Sequence, residues 1–314
     1  MNRRTRRTLL IVAAVLILLA VAIFLRSKAP PEAARLLPES DGIVYINLKP
    51  IRTFFHKQVA PPTRAPEYQQ FINAIGIDPE RDLDQAAIAL HRMDNPAGPN
   101  GPVAYSMVLV GKLRGKQLAD WLNAHAAARE EYAGKTIYSV LSENRTVRVA
   151  QIGYDMVAVS NYPTAEKIHA ILDRHRTAAL PFSGSSLLDR HYREVPLLSL
   201  AWGVGQIGLP FSENGAISVL GFRLPLEPNA TIIASLRWTG SLRLRVEEIA
   251  PSEAKAMQQA ATVATLVTLA RSFTLPLGEN AANNGLKEFL KTATVEQKRD
   301  RVVVTAALPG SVLQ

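Results

Sequence analysis

An apolar run, Leu9 to Leu25, stands between Arg3, Arg4, Arg6 and Arg7 on one side and Arg26 and Lys28 on the other, with no charge, proline or glycine inside it. Such a stretch satisfies its backbone within a bilayer only as a helix. At a rise of about 1.5 Å per residue it spans roughly 26 Å, slightly less than a hydrocarbon core. Thr8 and the aliphatic stems of Arg7, Arg26 and Lys28 make up the difference. The pattern predicts a basic cytoplasmic tail over residues 1–7, a transmembrane helix over 8–25 and a linker over 26–36. Four arginines before the run against two basic residues after it place the N-terminus in the cytoplasm and the remainder across the membrane. Thr5-Arg6-Arg7-Thr8-Leu9-Leu10 is similar to a twin-arginine signal, but its apolar part is too hydrophobic for that route. Signal cleavage is disfavoured because the small-residue site Ser27-Lys28-Ala29 is followed by Pro30.

Beyond residue 36 the periodicity switches repeatedly between two and 3.6. Strands are expected at Gly42–Leu48, stopped by Lys49-Pro50, at Gln85–His91 and at Val103–Val110. Residues 52–66 read as a loop or broken helix, and Glu67–Ile75 as a helix closed by Gly76. Asp78 to Leu83 is a turn, and the Asn-, Pro- and Gly-rich stretch Asp94–Pro102 a loop. A helix over Gly115–Arg129 leads into a three-stranded meander, Thr136–Leu141, Thr146–Ile152 and Met156–Ser160, followed by a helix over Pro163–Arg176. The second half repeats the plan. Strands are expected at Leu197–Gly203, Thr231–Thr239 and Leu242–Ile249, helices at Glu253–Ser272 and Gly285–Lys291, and a closing hairpin at Thr294–Gln297 and Arg301–Leu308. The order helix, strand, turn, strand occurs at Gln117–Ile152 and again at Leu286–Leu308. The expectation is an α+β protein in which helices pack on one face of antiparallel sheet. It has two similar lobes, at residues 37–180 and 181–314, duplicates of one unit.

Charge changes this picture less than its total implies. The formal net charge is +9, but six of the 36 basic residues lie within residues 1–28, leaving 30 against 27 acidic groups. That remainder is interspersed, which argues against a nucleic-acid partner. Cysteine is absent, removing disulfides, thiolate metal sites and cysteine nucleophiles together. An exported domain of about 285 residues held by its apolar core alone fits a bacterial envelope. The sequons at Asn144 and Asn229 are then chance matches.

Several local patterns resemble chemistry. Gly203-Val204-Gly205-Gln206-Ile207-Gly208 fits G-x-G-x-x-G, but Pro210 and Ser212-Glu213-Asn214-Gly215 replace the helix that dinucleotide binding requires, so close packing or a strand bend is the better reading. His169, Asp173 and His175 share one helix without converging on a metal. Ser183 to Ser186 lacks a nucleophile elbow and reads as loop or capping serines. His191-Tyr192-Arg193-Glu194 is the densest polar cluster and the place to look for acid–base chemistry, with a salt-linked helix end as the simpler account. Ile207 to Leu226 sets Leu209, Phe211, Leu220, Phe222, Leu224 and Leu226 among Gly, Pro and Asn, either a loop packed over the core or an apolar flap. The Ala-rich helix Ala254–Leu269 could line a groove beneath such a flap, and is too short to span a bilayer.

Leu36-Leu37-Pro38, Asp41 to Pro50 and Gly76-Ile77-Asp78-Pro79-Glu80-Arg81-Asp82-Leu83 resemble a group of bacterial signal-anchored exported proteins with no assigned activity. The likeness extends through Tyr132–Val159 and Ala170–Trp202, about half the chain. It implies export and anchoring, and assigns no catalytic residue. The expected function is a single-pass inner-membrane protein presenting a periplasmic binding or scaffolding module, without catalysis. Its expected partners are the bilayer through Leu9–Leu25 and another envelope protein or a lipid. No catalytic, cofactor or metal residue is assigned; Leu209, Phe211, Leu220 and Phe222 are the interaction candidates. Two alternatives stand beside it: lipid or lipoprotein handling through the flap, and a hydrolase working near His191.

Overall fold

The computed structural model describes Val12 and residues 29–55, 64–98, 100–113, 116–142, 145–177, 184–206, 216–219, 222–225, 230–272 and 281–310. The first half runs α1 (Glu32–Arg35), β1 (Gly42–Asn47), α2 (Leu48–Phe55), α3 (Pro66–Ile75), α4 (Pro79–Asp82), β2 (Leu83–Arg92), β3 (Val103–Gly111), α5 (Lys116–His125), β4 (Ala126–Tyr132), β5 (Lys135–Ser142), β6 (Arg145–Gln151), β7 (Met156–Ser160) and α6 (Glu166–Arg176). The second runs α7 (Ser186–His191), a 3-10 turn (Tyr192–Glu194), β8 (Ser199–Gln206), β9 (Ala216–Val219), β10 (Phe222–Pro225), β11 (Thr231–Trp238), β12 (Ser241–Ile249), α8 (Glu253–Ser272), α9 (Ala281–Thr292), β13 (Thr294–Lys298) and β14 (Arg301–Pro309). The α+β class and the antiparallel sheet stand as expected. The transmembrane stretch, apart from Val12, lies outside the described residues, and no described helix is long and apolar enough to cross a membrane.

Twelve strands form one sheet in the order β13-β14-β12-β11-β8-β1-β2-β3-β7-β6-β5-β4, and β9 pairs with β10 as a separate hairpin. β1 lies centrally, antiparallel to β2 on one edge and β8 on the other. On each side three strands step outward, β1-β2-β3 and β8-β11-β12. Helices then intervene in the chain, α5 on one side and α8 with α9 on the other. The chain resumes at the outer edge and works back inward, β4 to β7 on one flank and β13 to β14 on the other. Residues before and after position 180 therefore contribute to a single sheet.

Helices cover both faces, not one, and strand alternation shows how. On the first face Ile43, Tyr45, Ala87, Val108, Ala158, Trp202 and Val204 pack against Ala33 and Ala34 of α1, Ile168 and Ile171 of α6 and Leu187 and Leu188 of α7. On the second face Leu109, Val149, Val157 and Val159 meet Ile75 of α3 and Leu118 and Trp121 of α5, while Val295 and Val302 meet Ala256 and Ala260 of α8. Central strands of a two-sided sheet read as nearly continuous apolar runs, as Ile43 to Ile46 does. Each fully buried branched side chain contributes about 1.5–3 kcal/mol of transfer free energy.

Three local expectations need correction. The helix expected to reach Arg129 ends at His125, and Ala126–Tyr132 is the edge strand β4, so the meander has four strands. Ala and Glu favour helix, but Ala133 (φ 51°) and Gly134 (φ 73°) form a turn with two left-handed residues, the geometry that matches strand twist in a tight hairpin. Leu48–Phe55 is helical immediately after β1, with Pro50 in the first turn where a missing N–H costs nothing. The Asp78–Leu83 turn contains the short helix α4, capped by the Asp78 carboxylate accepting from the Glu80 N–H at 3.1 Å.

At the end of β3 the chain crosses α4 so closely that a Cβ at Gly111 would lie 2.1 Å from the Asp82 carbonyl oxygen and 2.9 Å from Leu83 Cα. Both obstacles are backbone, so neither can rotate aside. Gly111→Ala is expected to destabilise the protein by about 1–3 kcal/mol, read as a lower midpoint in urea unfolding; an unchanged midpoint would show that this crossing relaxes freely.

Candidate functional site

β8 is built unequally on its two faces. Trp202 and Val204 are buried on the first face, Trp202 stacking on Tyr45 (centroids 5.5 Å apart) with the Tyr192 ring edge-on at 5.4 Å. The second face carries Ala201, Gly203 and Gly205. Their register partners are Ile46, Val44 and Gly42 of β1 and Leu236, Ala234 and Ile232 of β11. The result is a trough of small residues along β8, walled by Val44 and Ile46 on one side and Ile232 and Leu236 on the other, with all four walls half-buried. A Cβ at Gly203 would meet, among the described residues, only the Ile43 carbonyl oxygen at 3.5 Å and Val44 Cγ2 at 3.7 Å, both ordinary contacts. Gly203 and Gly205 of the G-x-G-x-x-G match thus sit inside a paired strand, and Gly208 lies outside the described residues. A phosphate loop would need them at a strand-to-helix turn.

On the second face the α3 and α5 contacts lie to one side of β8 and those of α8 to the other, and α2 packs against β2 and β8. α8 is uncharged between Lys255 and Arg271, and exposes Met257 and Leu269. The hydroxyls of Thr262, Thr265 and Thr268 donate back to the carbonyls of Gln258, Ala261 and Ala264 at 3.1, 2.9 and 2.8 Å, which hides their polarity. The hairpin of β9 and β10 pairs Phe222 with Val219, and β10 lies against α8. Phe222 therefore opens the second strand of this hairpin. Leu209, Phe211 and Leu220 lie outside the described residues.

The His191–Glu194 cluster has a different role. Both Glu194 carboxylate oxygens accept from Arg301, at 2.8 and 3.0 Å, and Arg301 also contacts Glu247, which in turn contacts Arg245. These bonds hold the Glu194 carboxyl below the usual carboxylate range against its burial. Glu247 is 3% exposed and has guanidiniums on two sides. Burial, with the Arg190 charge nearby, lowers the His191 pKa. The network fastens the 3-10 turn to β12 and β14 and commits Glu194 to a structural pair. Leu188, Asp189, Tyr192, Val195 and Leu197 nevertheless line a groove of about 900 Å³ together with Ala29 and Pro30.

One constellation was invisible along the chain. His91 Nε2 lies 2.9 Å from Ser106 Oγ, which lies 3.0 Å from Ser160 Oγ. The spacing matches a nucleophile and its base. His91 is 3% exposed and both serines 0%, and the Ser160 hydroxyl also accepts from the Tyr162 N–H at 3.2 Å. The trio pins β2, β3 and β7 together. The remaining motifs are likewise structural. Tyr132 stacks on His169 at 3.8 Å and donates to Asp173 at 2.8 Å, tying β4 to α6. Ser185 caps α7, accepting from the Leu188 N–H at 3.4 Å, and Ser186 donates to Glu39 at 2.8 Å. Among the described residues no group of three His, Asp or Glu converges as a metal site.

No protein-family model matches the chain, and no curated protein matches it. Solved structures similar to it include crystal form I of TP0453, with a TM-score of 0.45 and 10% identity over 91% of this chain and 96% of that one. Crystal form III of TP0453 aligns with a TM-score of 0.47 and 9% identity over 90% and 96%.

Two predictions test these assignments. Burial, with Lys167 nearby, pushes the His91 pKa from 6.5 down to about 4. Below pH 6.5 the unfolded chain takes up a proton that the folded chain refuses, so stability falls as pH drops from about 6.5 to about 4, by about 3 kcal/mol at most. Urea unfolding across that window should show the loss, and His91→Gln should flatten it. Arg301→Met leaves Glu247 buried with one partner, and is expected to cost about 3–5 kcal/mol; Arg301→Met combined with Glu247→Leu should recover most of it.

Proposed function

We propose that the chain is a membrane-tethered binding module of the bacterial envelope that holds the acyl portion of a lipid in the trough along β8. It is anchored through Leu9–Leu25, with its N-terminus in the cytoplasm and its sheet domain in the periplasm. The observation that carries this reading is the placement of Ala201, Gly203 and Gly205 in one line on the second face, flanked by Val44 and Ile46 of β1 and Ile232 and Leu236 of β11. Floor and walls offer only hydrocarbon, because β8 is hydrogen-bonded to a neighbour along both edges. A peptide laid there would bury its own amides without partners, at a cost of about 1–3 kcal/mol each, whereas an acyl chain has none to satisfy. The uncharged helix α8 and the hairpin beside it extend the apolar wall. The tether supplies the substrate, since a domain held at a bilayer meets lipid at high effective concentration.

A phenyl ring at residue 203 would displace about four methylenes from the trough, worth about 0.8 kcal/mol each. Gly203→Phe in the detergent-solubilised full chain is therefore expected to weaken capture of cis-parinaric acid at least tenfold by fluorescence titration, with the thermal unfolding midpoint little changed. Equal capture by variant and wild type, or none by wild type, would sink the proposal.

A further inference from the structure

Immediately before β8 two large apolar side chains stand in solvent. Leu197 is 52% exposed and Leu198 92%. Leu198 also has φ 62°, a left-handed conformation that residues with side chains rarely adopt. The surrounding chain enforces it: Val195 is buried on one side, β8 begins on the other, and the Ser199 hydroxyl closes the bend by donating to the Pro196 carbonyl at 2.6 Å. A backbone held in a rare conformation to keep a leucine out of the core points to something that the leucine meets outside it.

The sequence says what that is. Leu197 lines the same groove as Ala29 and Pro30. Ala29 follows the end of the apolar run, Leu25, by four residues, which span at most about 14 Å even when fully extended. If Leu25 lies at the edge of a bilayer, the groove and its leucines lie at the headgroup level. Arg190 and Arg193 are exposed on the same segment. Of the two acids on this segment, Asp189 and Glu194, the second is taken by Arg301. The local balance therefore suits anionic phosphates.

We propose that Leu197 and Leu198 dip into the interface of the same bilayer that holds Leu9–Leu25, with Arg190 and Arg193 against its phosphates, so that the domain docks in one orientation. The inference rests on the anchored reading above, and the test separates the two. The chain has no cysteine, so single cysteines can be labelled with a fluorophore in the full chain: Ala14→Cys in the apolar run, Leu198→Cys at the tip, and Leu141→Cys on β5 as a remote site 68% exposed. The labelled proteins are reconstituted in phosphatidylethanolamine–phosphatidylglycerol vesicles carrying brominated acyl chains. Labels at residues 14 and 198 should each be quenched at least twofold more than the label at 141. If residue 14 is quenched and 198 behaves as 141, docking is refuted and anchoring stands. If residue 14 is not quenched, the anchored reading falls and the docking with it, whatever residue 198 does.

Discussion

The ladder between β1 and β8 is the contact on which the rest of the structure depends. Five register pairs, from Gly42 with Gly205 to Ile46 with Ala201, join segments about 160 positions apart, and through them the two flanks become one sheet. The same pairs shape both faces. On one they stack Tyr45 on Trp202 and give α7 its platform; on the other they set Val44 beside Gly203 and open the trough. A slip of one residue would exchange the faces, placing Trp202 over the trough and glycine under α7. Such distant pairing must overcome the closure entropy of a long loop before any contact repays it. The ladder is therefore expected to form late in folding, after the local hairpins of each flank.

What the sequence made legible follows from this division. Elements with a local cause were readable: α8 from its Ala-rich, charge-flanked run, the hairpin at β13 and β14 from its polar turn, and the end of α3 from Gly76. The strand β4 was not, because Ala126 to Glu131 has helical propensity and only pairing with β5 overrides it. The covering of both faces was also hidden, since a two-sided sheet alternates between one apolar side chain and another. Of the candidate site, the glycines at 203 and 205 were noticed and read as packing or strand-bend glycines, without the face they share. Spacing two apart on a strand means a shared face, and only register showed which residues flank them there. The His91, Ser106 and Ser160 contacts join residues 15 and 54 positions apart, beyond any linear motif.

The charged groups show the same separation of roles. A dense polar run such as His191 to Glu194 looks reactive in a sequence because its partners are elsewhere in the chain. Arg301 arrives from β14 and takes both Glu194 oxygens, while Glu247 is buried and flanked by two guanidiniums. That arrangement adds little stability compared with an apolar contact of equal size. It does fix the position of the turn, and the groove and the Leu197–Leu198 tip hang from that turn.

Tip and trough are consequently parts of one strand. Leu198 precedes β8, and Ala201, three residues on, opens the floor of the trough, which continues for about 13 Å to Gly205 at the rise of an extended strand. On the proposed docking, the end of the trough nearest the membrane lies about 10 Å from the leucines that enter it. An acyl chain leaving the bilayer beside Leu198 would then pass onto an apolar floor without crossing open water, where each exposed methylene costs about 0.8 kcal/mol. The anchor alone would hold the domain near lipid in any orientation. On the proposed docking, the exposed Leu198 would favour the orientation in which the trough faces lipid, and its left-handed backbone (φ 62°) is what holds it out of the core.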